Sequence, residues 1–244
     1  MKKLTLITLI LFNSILNVNA SDTVLLELFT SQGCSSCPPA DQVLANLKST
    51  RAEEILPLSF HVSYWDHLGW KDPHAKVKND NRQKDYVTKL KLRSAYTPQA
   101  IIDGKYQVVG SKKKDILHYV KEAAKTPKYK FTLSKKEDKL LVELPKTKLD
   151  IEQVAVTLIY YDDFSSNLVK AGENKGHRLG SHNIVTGFET IAYWKGETKT
   201  LSKDFPLAPK FVVILQDEKS GTILGAKTSI ELEVSEEAIS EPEA

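Results

Sequence analysis

The sequence predicts an α/β domain over residues 21–126, followed by a mainly antiparallel, sandwich-like β domain over residues 127–234. The first domain is predicted because apolar runs with strand character alternate with stretches of helical periodicity up to residue 125. The second is predicted because several short β-rich runs follow one another, separated by turns and without helical stretches between them.

The two cysteines of the chain, Cys34 and Cys37, lie where the first predicted strand ends and the first predicted helix begins. A Cys-x-x-Cys pair at such a junction is typical of a redox-active dithiol. The alternative is a structural disulfide, but closing so short a loop removes little entropy from the unfolded chain. We therefore favour redox chemistry, with Cys34 as the attacking thiolate at the helix N-terminus and Cys37 as the resolving thiol.

The remaining elements of the first domain follow from local patterns in chain order. Together they give the order β-α-β-α-β-β-α. After the first strand and helix these are a strand at 55–62, a helical excursion within 73–92, two short strands joined by the Asp103-Gly104 turn, and a helix at about 112–125.

This order brings three distant segments to one edge of the sheet. A right-handed crossover makes the first two strands parallel, so their carboxyl ends meet and Trp65 and Asp66 lie near Cys34. The strand after Pro98 runs antiparallel to them, so its start, with Thr97, faces the same edge. We expect the candidate site to form there.

The order, with the dithiol after the first strand, resembles the thioredoxin fold over roughly residues 22–125. The resemblance implies a cis peptide bond between Thr97 and Pro98, whereas the sequence order alone leaves cis and trans open. A cis-proline at this place would present backbone groups to a peptide bound beside Cys34.

A proton acceptor for the dithiol is less readily identified. The buried acid of thioredoxin falls on Leu28 in an ungapped comparison, whereas Glu27 is one residue earlier and is predicted to face the opposite side of the strand. Asp66 and His67 are the other candidates. We interpret His61, like His67 and His74, as an ordinary surface or structural histidine.

Five motifs together resemble a secreted bacterial family of unknown function, domain-of-unknown-function family 1223. They are residues 29–41 (FTSQGCSSCPPAD), 61–66 (HVSYWD), 68–73 (LGWKDP), 96–99 (YTPQ) and 172–174 (GEN). The resemblance covers nearly the whole chain and implies a thioredoxin-like domain and export. From the strand order we expect the loop at 64–70, with Trp65, Asp66 and Trp70, to lie beside the dithiol, and we count these residues and Glu27 as supporting or substrate-binding residues. One departure is Ser63, where the family pattern leads us to expect aspartate.

The N-terminal residues 1–20 are typical of a secretory signal peptide. Lys2 and Lys3 precede the uncharged apolar run at 4–16, which is too short to span a bilayer comfortably. We expect an exported protein, periplasmic or secreted, without stable membrane insertion after the signal is removed. The acidic tail, residues 235–244, is predicted to be disordered.

The charge balance bears on the class of partner. Removing Lys2 and Lys3 from 34 basic residues leaves 32 against 31 acidic ones, which argues against a nucleic-acid binder. We expect protein thiols or disulfides as partners, together with an electron donor or oxidant in the membrane, and neither a cofactor nor a metal.

Three functions remain open at this point. The leading hypothesis is an exported thiol–disulfide oxidoreductase that uses Cys34 and Cys37. The alternatives are a copper or zinc carrier that uses both cysteines and a nearby histidine, and a binding module in which the disulfide is structural. The turn-rich section at 171–183 either folds over the dithiol or is an exposed connector.

Overall fold

The computed structural model describes residues 23–206 and 210–234. The predicted signal peptide and acidic tail lie outside these residues. The first half of the chain forms four strands and three helices: β1 (Val24–Thr30), α1 (Pro38–Thr50), β2 (Ile55–His61), α2 (Val77–Lys89), β3 (Gln99–Ile102), β4 (Tyr106–Val109) and α3 (Lys113–Ala123). This is the predicted order.

The second half is built from strands. They are β5 (Thr132–Lys136), β6 (Lys139–Leu144), β7 (Val154–Leu168), β8 (Arg178–Trp194), β9 (Lys199–Asp204), β10 (Lys210–Asp217), β11 (Ile223–Thr228) and β12 (Glu233–Val234). The section at 171–183, predicted to be rich in turns, is a loop only up to residue 177, because β8 already begins at Arg178.

Eight of the strands form one mixed sheet of order β11-β10-β7-β8-β2-β1-β3-β4. As predicted, β1 and β2 are parallel and β3 runs antiparallel to β1. Every residue of β1 is buried, which is typical of a strand covered on both faces. The carboxyl ends of β1 and β2 and the start of β3 therefore lie at one edge.

The two faces of β1 contact different helices. Leu28 packs against Ala40 and Leu44 of α1, and Leu26 lies in a cluster with residues of α1 and α3. The alternate residue Phe29 packs on the other face against Tyr86 of α2, with ring centroids 6.3 Å apart. This alternation decides which side chains of β1 lie beneath the dithiol-bearing helix.

The remaining strands form a second sheet of order β12-β5-β6-β9. Its apolar side chains, including Leu133, Leu140 and Val142, share a core with Trp194 and Phe211 of the large sheet. The small sheet is therefore a layer packed on the end of the large sheet that the second half of the chain supplies.

The predicted fold class, an α/β thioredoxin-like domain followed by a separate antiparallel β sandwich, is wrong. The protein is mostly β, and strands from both halves of the chain share the eight-stranded sheet, because β8 pairs with the edge of β2 at Ser59 and Ile184. Local periodicity shows which face of a strand is apolar. It does not show which distant strand will form hydrogen bonds with the backbone groups along its edge.

The Asp103-Gly104 turn shows how closely the halves interlock. The Asp103 carboxylate accepts hydrogen bonds from the Leu25 backbone and from Lys128, at Nζ–Oδ2 2.5 Å. A side chain at Gly104 (φ +63°) would collide with the Gly221 backbone. Lys128, just past the predicted domain boundary, therefore forms a buried ion pair with the first half, and the large sheet contains strands from both sides of that boundary.

Candidate functional site

The two cysteines lie at the N-terminus of α1, directly after β1. Cys37 is the N-cap residue of the helix, and prolines 38 and 39 occupy its first positions, where a helix has no intrahelical use for their missing N–H groups. Cys34 and Cys37 form a disulfide with a Cα–Cα distance of 5.4 Å. The pair therefore stands at the positive end of the helix dipole, which favours negative charge.

Two hydroxyl groups lie beside the Cys34 sulfur. Thr97 Oγ1 donates a hydrogen bond to Cys34 Sγ over 3.3 Å, and Ser36 Oγ lies 3.3 Å from the same sulfur. The indole of Trp65 donates to Thr97 Oγ1 over 2.7 Å, which fixes the hydroxyl in place. The Thr97–Pro98 peptide bond is cis, so that prediction is confirmed.

The disulfide is covered by the loop between β7 and β8, residues 169–177, which we call the capping loop. Asn174 Nδ2 donates to the backbone oxygens of Gln32, at 3.0 Å, and of Cys34, at 2.9 Å. Glu173 Oε2 accepts a hydrogen bond from the Ser35 backbone at 2.8 Å. Both cysteines are 0% exposed, so a partner can reach a sulfur only after the residues around it move.

The aromatic segment after β2, residues 64–70, lies next to the disulfide, and we call it the aromatic wall. Trp70 Nε1 donates to Gln32 Oε1 over 3.3 Å, and a Cβ added to Gly172 of the capping loop would lie 3.5 Å from Trp70 Cβ. Asp66 contacts a different part of the wall, since its carboxylate accepts a hydrogen bond from the Asp72 backbone. Burial raises the pKa of Asp66 and outweighs that hydrogen bond.

A buried acid–base pair lies beneath this wall. His61 Nδ1 and Asp72 Oδ2 are 2.7 Å apart, with side chains 1% and 0% exposed. Burial lowers the pKa of His61, but the Asp72 carboxylate and Asp41 raise it more, and the net shift is upward. Burial raises the pKa of Asp72, but His61 and the hydrogen bonds from the Gln32 and His74 backbones hold it below its usual value. Both shifts favour the ionised forms of His61 and Asp72.

Asp41 is the acidic residue of α1 closest in sequence to the dithiol. Its backbone N–H donates to the Cys37 carbonyl at 3.1 Å, and its Oδ1 accepts a hydrogen bond from Thr30 Oγ1 at 2.9 Å. Burial raises the pKa of Asp41 to about 7, although His61 and the Thr30 hydrogen bond oppose the shift. The sequence analysis did not identify Asp41 or Asp72 as site residues. For Asp41 a signal existed, because it follows Cys37 by four residues on a predicted helix.

Glu27, a candidate proton acceptor from the sequence, lies on the face of β1 opposite α1, as its alternation with Leu28 predicted. Its carboxylate accepts hydrogen bonds from Arg82 Nη2 at 2.8 Å and from Tyr86 Oη at 2.5 Å. The Arg82 guanidinium neutralises it. The structure therefore places Glu27 in a buried ion pair of the core beneath α2.

The other polar candidates lie apart from the sulfurs. His67 is exposed and its Nδ1 contacts the Tyr64 carbonyl at 2.7 Å. Ser63, where aspartate was expected, donates to Asp80 through both its backbone and its hydroxyl group. Within residues 23–206 and 210–234, no cluster of three or more His, Cys, Asp or Glu side chains is arranged to hold a metal ion. Among the helices of the same ranges, none has the length and apolarity needed to cross a bilayer.

Comparisons with solved structures show what the chain resembles. A crystal structure of a protein from Agrobacterium tumefaciens, a structural-genomics target, is 28% identical with a TM-score of 0.72, covering 84% of this chain and 92% of that one. HBP35 of Porphyromonas gingivalis is 14% identical with a TM-score of 0.58, covering 92% of this chain and 80% of that one, and this likeness concerns the fold alone. A search of curated proteins finds no match.

A family model described as "Protein of unknown function (DUF1223)" matches residues 25–221. The match includes the dithiol, the aromatic wall, Thr97, Pro98 and the capping loop. It spans most of the chain, and this protein belongs to the DUF1223 family.

Proposed function

We propose that this protein carries out thiol–disulfide exchange through Cys34 and Cys37. The observation that carries the proposal is the donation from Thr97 Oγ1 to Cys34 Sγ at the N-terminus of α1. A hydroxyl donor and the helix N-terminus both stabilise a thiolate more than a thiol, and the thiolate is the species that attacks and leaves in exchange.

Cys34 is the sulfur that would meet the partner. It precedes the helix and has Thr97 and Ser36 beside it, whereas Cys37 is already the N-cap residue. A partner thiolate would attack Cys34 Sγ, break the Cys34–Cys37 bond and release Cys37 as the leaving thiolate. In the reverse direction, Cys34 would attack a partner disulfide and Cys37 would resolve the mixed disulfide.

Protein thiols or disulfides are the partners that fit this chemistry, and a membrane electron donor or oxidant would restore the pair. The oxidised state of Cys34 and Cys37 agrees with an oxidising compartment, which supports the proposal of export. The reduction potential decides the direction of electron flow, so its measurement belongs with the first experiments.

Replacement of the resolving cysteine tests the proposal directly. We expect Cys37→Ser to accumulate a mixed disulfide at Cys34 with a small disulfide or a partner protein, whereas the wild type releases it. Cys34→Ser is the matched control and should trap far less. The proposal fails if the wild-type disulfide resists a small dithiol in the folded state and Cys37→Ser traps nothing.

A binding module with a structural disulfide is the second candidate, because both cysteines are 0% exposed. On that alternative, replacing both cysteines by serine lowers stability and leaves partner binding intact. A copper or zinc carrier has less support, since the described residues offer the cysteines no third ligand in a metal-binding group. Titration of the reduced protein with Cu(I) and Zn²⁺ would test it.

A further inference from the structure

We propose that Asp41 is the proton acceptor that activates Cys37 as the resolving thiol. This inference rests on the proposed exchange function and assigns the proton path of the same site. It replaces the three candidates that the sequence suggested, Glu27, Asp66 and His67.

The geometry of α1 places the Cys37 and Asp41 side chains on the same face of the helix. Cys37 has helical backbone angles (φ −78°, ψ −39°), and the Asp41 N–H donates to its carbonyl as in a regular first turn. Residues four apart on a helix lie on one face, with Cβ atoms about 5–6 Å apart. The hydrogen bond from Thr30 at the end of β1 holds the Asp41 carboxyl on the sheet side of the helix.

The second carboxyl oxygen of Asp41 is available for a proton. The hydrogen bond from Thr30 is made to Oδ1, so it does not occupy Oδ2. The carboxyl also lines a cleft of about 230 Å³, together with Pro38, Arg178 and His182. A proton accepted from Cys37 could therefore pass to water through this cleft.

The electrostatic surroundings make Asp41 a suitable base. An ordinary aspartate is too weak a base at neutral pH, but the pKa of Asp41 is raised to about 7 by burial. The charged groups that face it are His61 and Asp72 from below and Arg178 and His182 across the cleft. His61 opposes the upward shift and Asp72 adds to it.

The competing carboxylates are already neutralised. Asp72 is paired with His61, and Glu27 is paired with Arg82 on the opposite face of β1. Protonating Asp72 would break its buried ion pair, which is costly, and Glu27 lies on the other face of the strand. No ion pair among the described residues involves Asp41, so Asp41 can gain or lose a proton while those of Asp72 and Glu27 remain.

In a mixed disulfide of Cys34 with a partner, the Cys37 thiol gives its proton to Asp41 and the Cys37 thiolate attacks Cys34 Sγ. The bond between Cys34 and the partner sulfur breaks, and the partner leaves as a thiolate with the electron pair of that bond. When the Cys34–Cys37 disulfide is reduced, protonated Asp41 returns the proton to the departing Cys37 thiolate.

The test separates the two attacks kinetically. The fully reduced protein is mixed with an aromatic disulfide whose released thiolate absorbs visible light. Cys34 releases the first equivalent, and the attack of Cys37 on the mixed disulfide releases the second. In the wild type, we expect the second phase to accelerate with an inflection near pH 7 as Asp41 loses its proton.

Asp41→Asn keeps the shape of the side chain and an acceptor for Thr30. We expect it to slow the second phase at pH 7 by about 100-fold, to remove the inflection near pH 7, and to leave the first phase unchanged. Asp41→Glu should restore part of the rate. Asp115→Asn, an exposed acidic residue in the first turn of α3, is the matched control and should behave as wild type.

Thr30→Val supplies an independent readout. Because the Thr30 hydrogen bond lowers the pKa of Asp41, its loss should move the inflection of the second phase to higher pH. An unchanged pH profile in folded Asp41→Asn overturns the inference while leaving the exchange function intact. A wild-type protein that releases no chromophore overturns the exchange function itself.

Discussion

The Thr97 hydroxyl donates a hydrogen bond to the Cys34 sulfur, with an Oγ1–Sγ distance of 3.3 Å, across a sequence separation of 63 residues. The same hydroxyl accepts from Trp65 Nε1. The hydroxyl thus accepts from the indole and donates to the sulfur. This arrangement connects the start of β3 and the aromatic segment to the reactive end of α1.

Thr97→Val should destabilise the thiolate form of Cys34 relative to the thiol. A hydrogen bond to a charged group contributes about 1.5–3 kcal/mol, so we expect the pKa of Cys34 to rise by about one unit or more. The pH dependence of Cys34 alkylation in the reduced protein measures this shift. Thr88→Val, on the exposed face of α2, is the control, and equal alkylation profiles for both variants would contradict the assigned role of Thr97.

Asn174→Ala should loosen the capping loop over the disulfide. The change removes the donor shared by the Gln32 and Cys34 carbonyls, which should lower the free energy of unfolding by about 1–3 kcal/mol. Reduction of the Cys34–Cys37 bond by a small dithiol should become faster under native conditions. Lys175→Ala, an exposed change in the same loop, should leave the rate as it is. A reduction rate that Asn174→Ala does not alter would show that the capping loop does not limit access.

Asp41 should make the stability of the protein depend on pH. Its pKa is about 7 in the folded protein and about 4 in the unfolded chain, so the folded state binds more protons between these values. Stability therefore falls as the pH rises from about 4 to about 7. Asp41→Asn should remove this contribution, so that its advantage over wild type grows across that window to as much as about 4 kcal/mol.

Denaturant unfolding at pH 4, 6 and 8 measures this difference, with Asp115→Asn as the control. Both proteins must be compared in the same disulfide state. A constant difference between Asp41→Asn and wild type at all three pH values would contradict the shifted pKa.

The buried pair of Glu27 and Arg82 should behave as part of the core. Arg82→Met leaves the Glu27 carboxylate buried without its cation, and we expect a loss of about 3–5 kcal/mol in the free energy of unfolding. The double variant Glu27→Leu with Arg82→Met should recover much of this loss, because it removes the unpaired charge.

Glu27→Gln also separates this pair from the proton path. We expect it to lower stability without moving the pH profile of the second phase of exchange. A profile that follows Glu27 instead of Asp41 would return the role of proton acceptor to Glu27.

Much of the local structure could be predicted from sequence because it depends on neighbouring residues. The apolar run of β1, the helical spacing after Pro38 and the Asp103-Gly104 turn each carry their own pattern, and the first seven elements form in the predicted order. The convergence of Trp65 and Thr97 on Cys34 could be predicted as well, because parallel strands and an antiparallel neighbour fix which ends share an edge.

The fold class could not be predicted in the same way. The pairing of Ser59 in β2 with Ile184 in β8 joins the two halves into one sheet, and a backbone edge carries no sequence pattern that names its partner. The capping loop comes from the same β7–β8 hairpin, so Glu173 and Asn174 reach the dithiol only because β8 lies beside β2.

The sequence by itself determined that two cysteines stand at the junction of β1 and α1, with Thr97 at the same edge. Only the tertiary structure decided which carboxyl group is available to them. Glu27 is paired with Arg82 and Asp72 with His61, whereas Asp41 has a raised pKa. Desolvation and charge act through space between segments distant in the chain, so the sequence pattern does not reveal this difference.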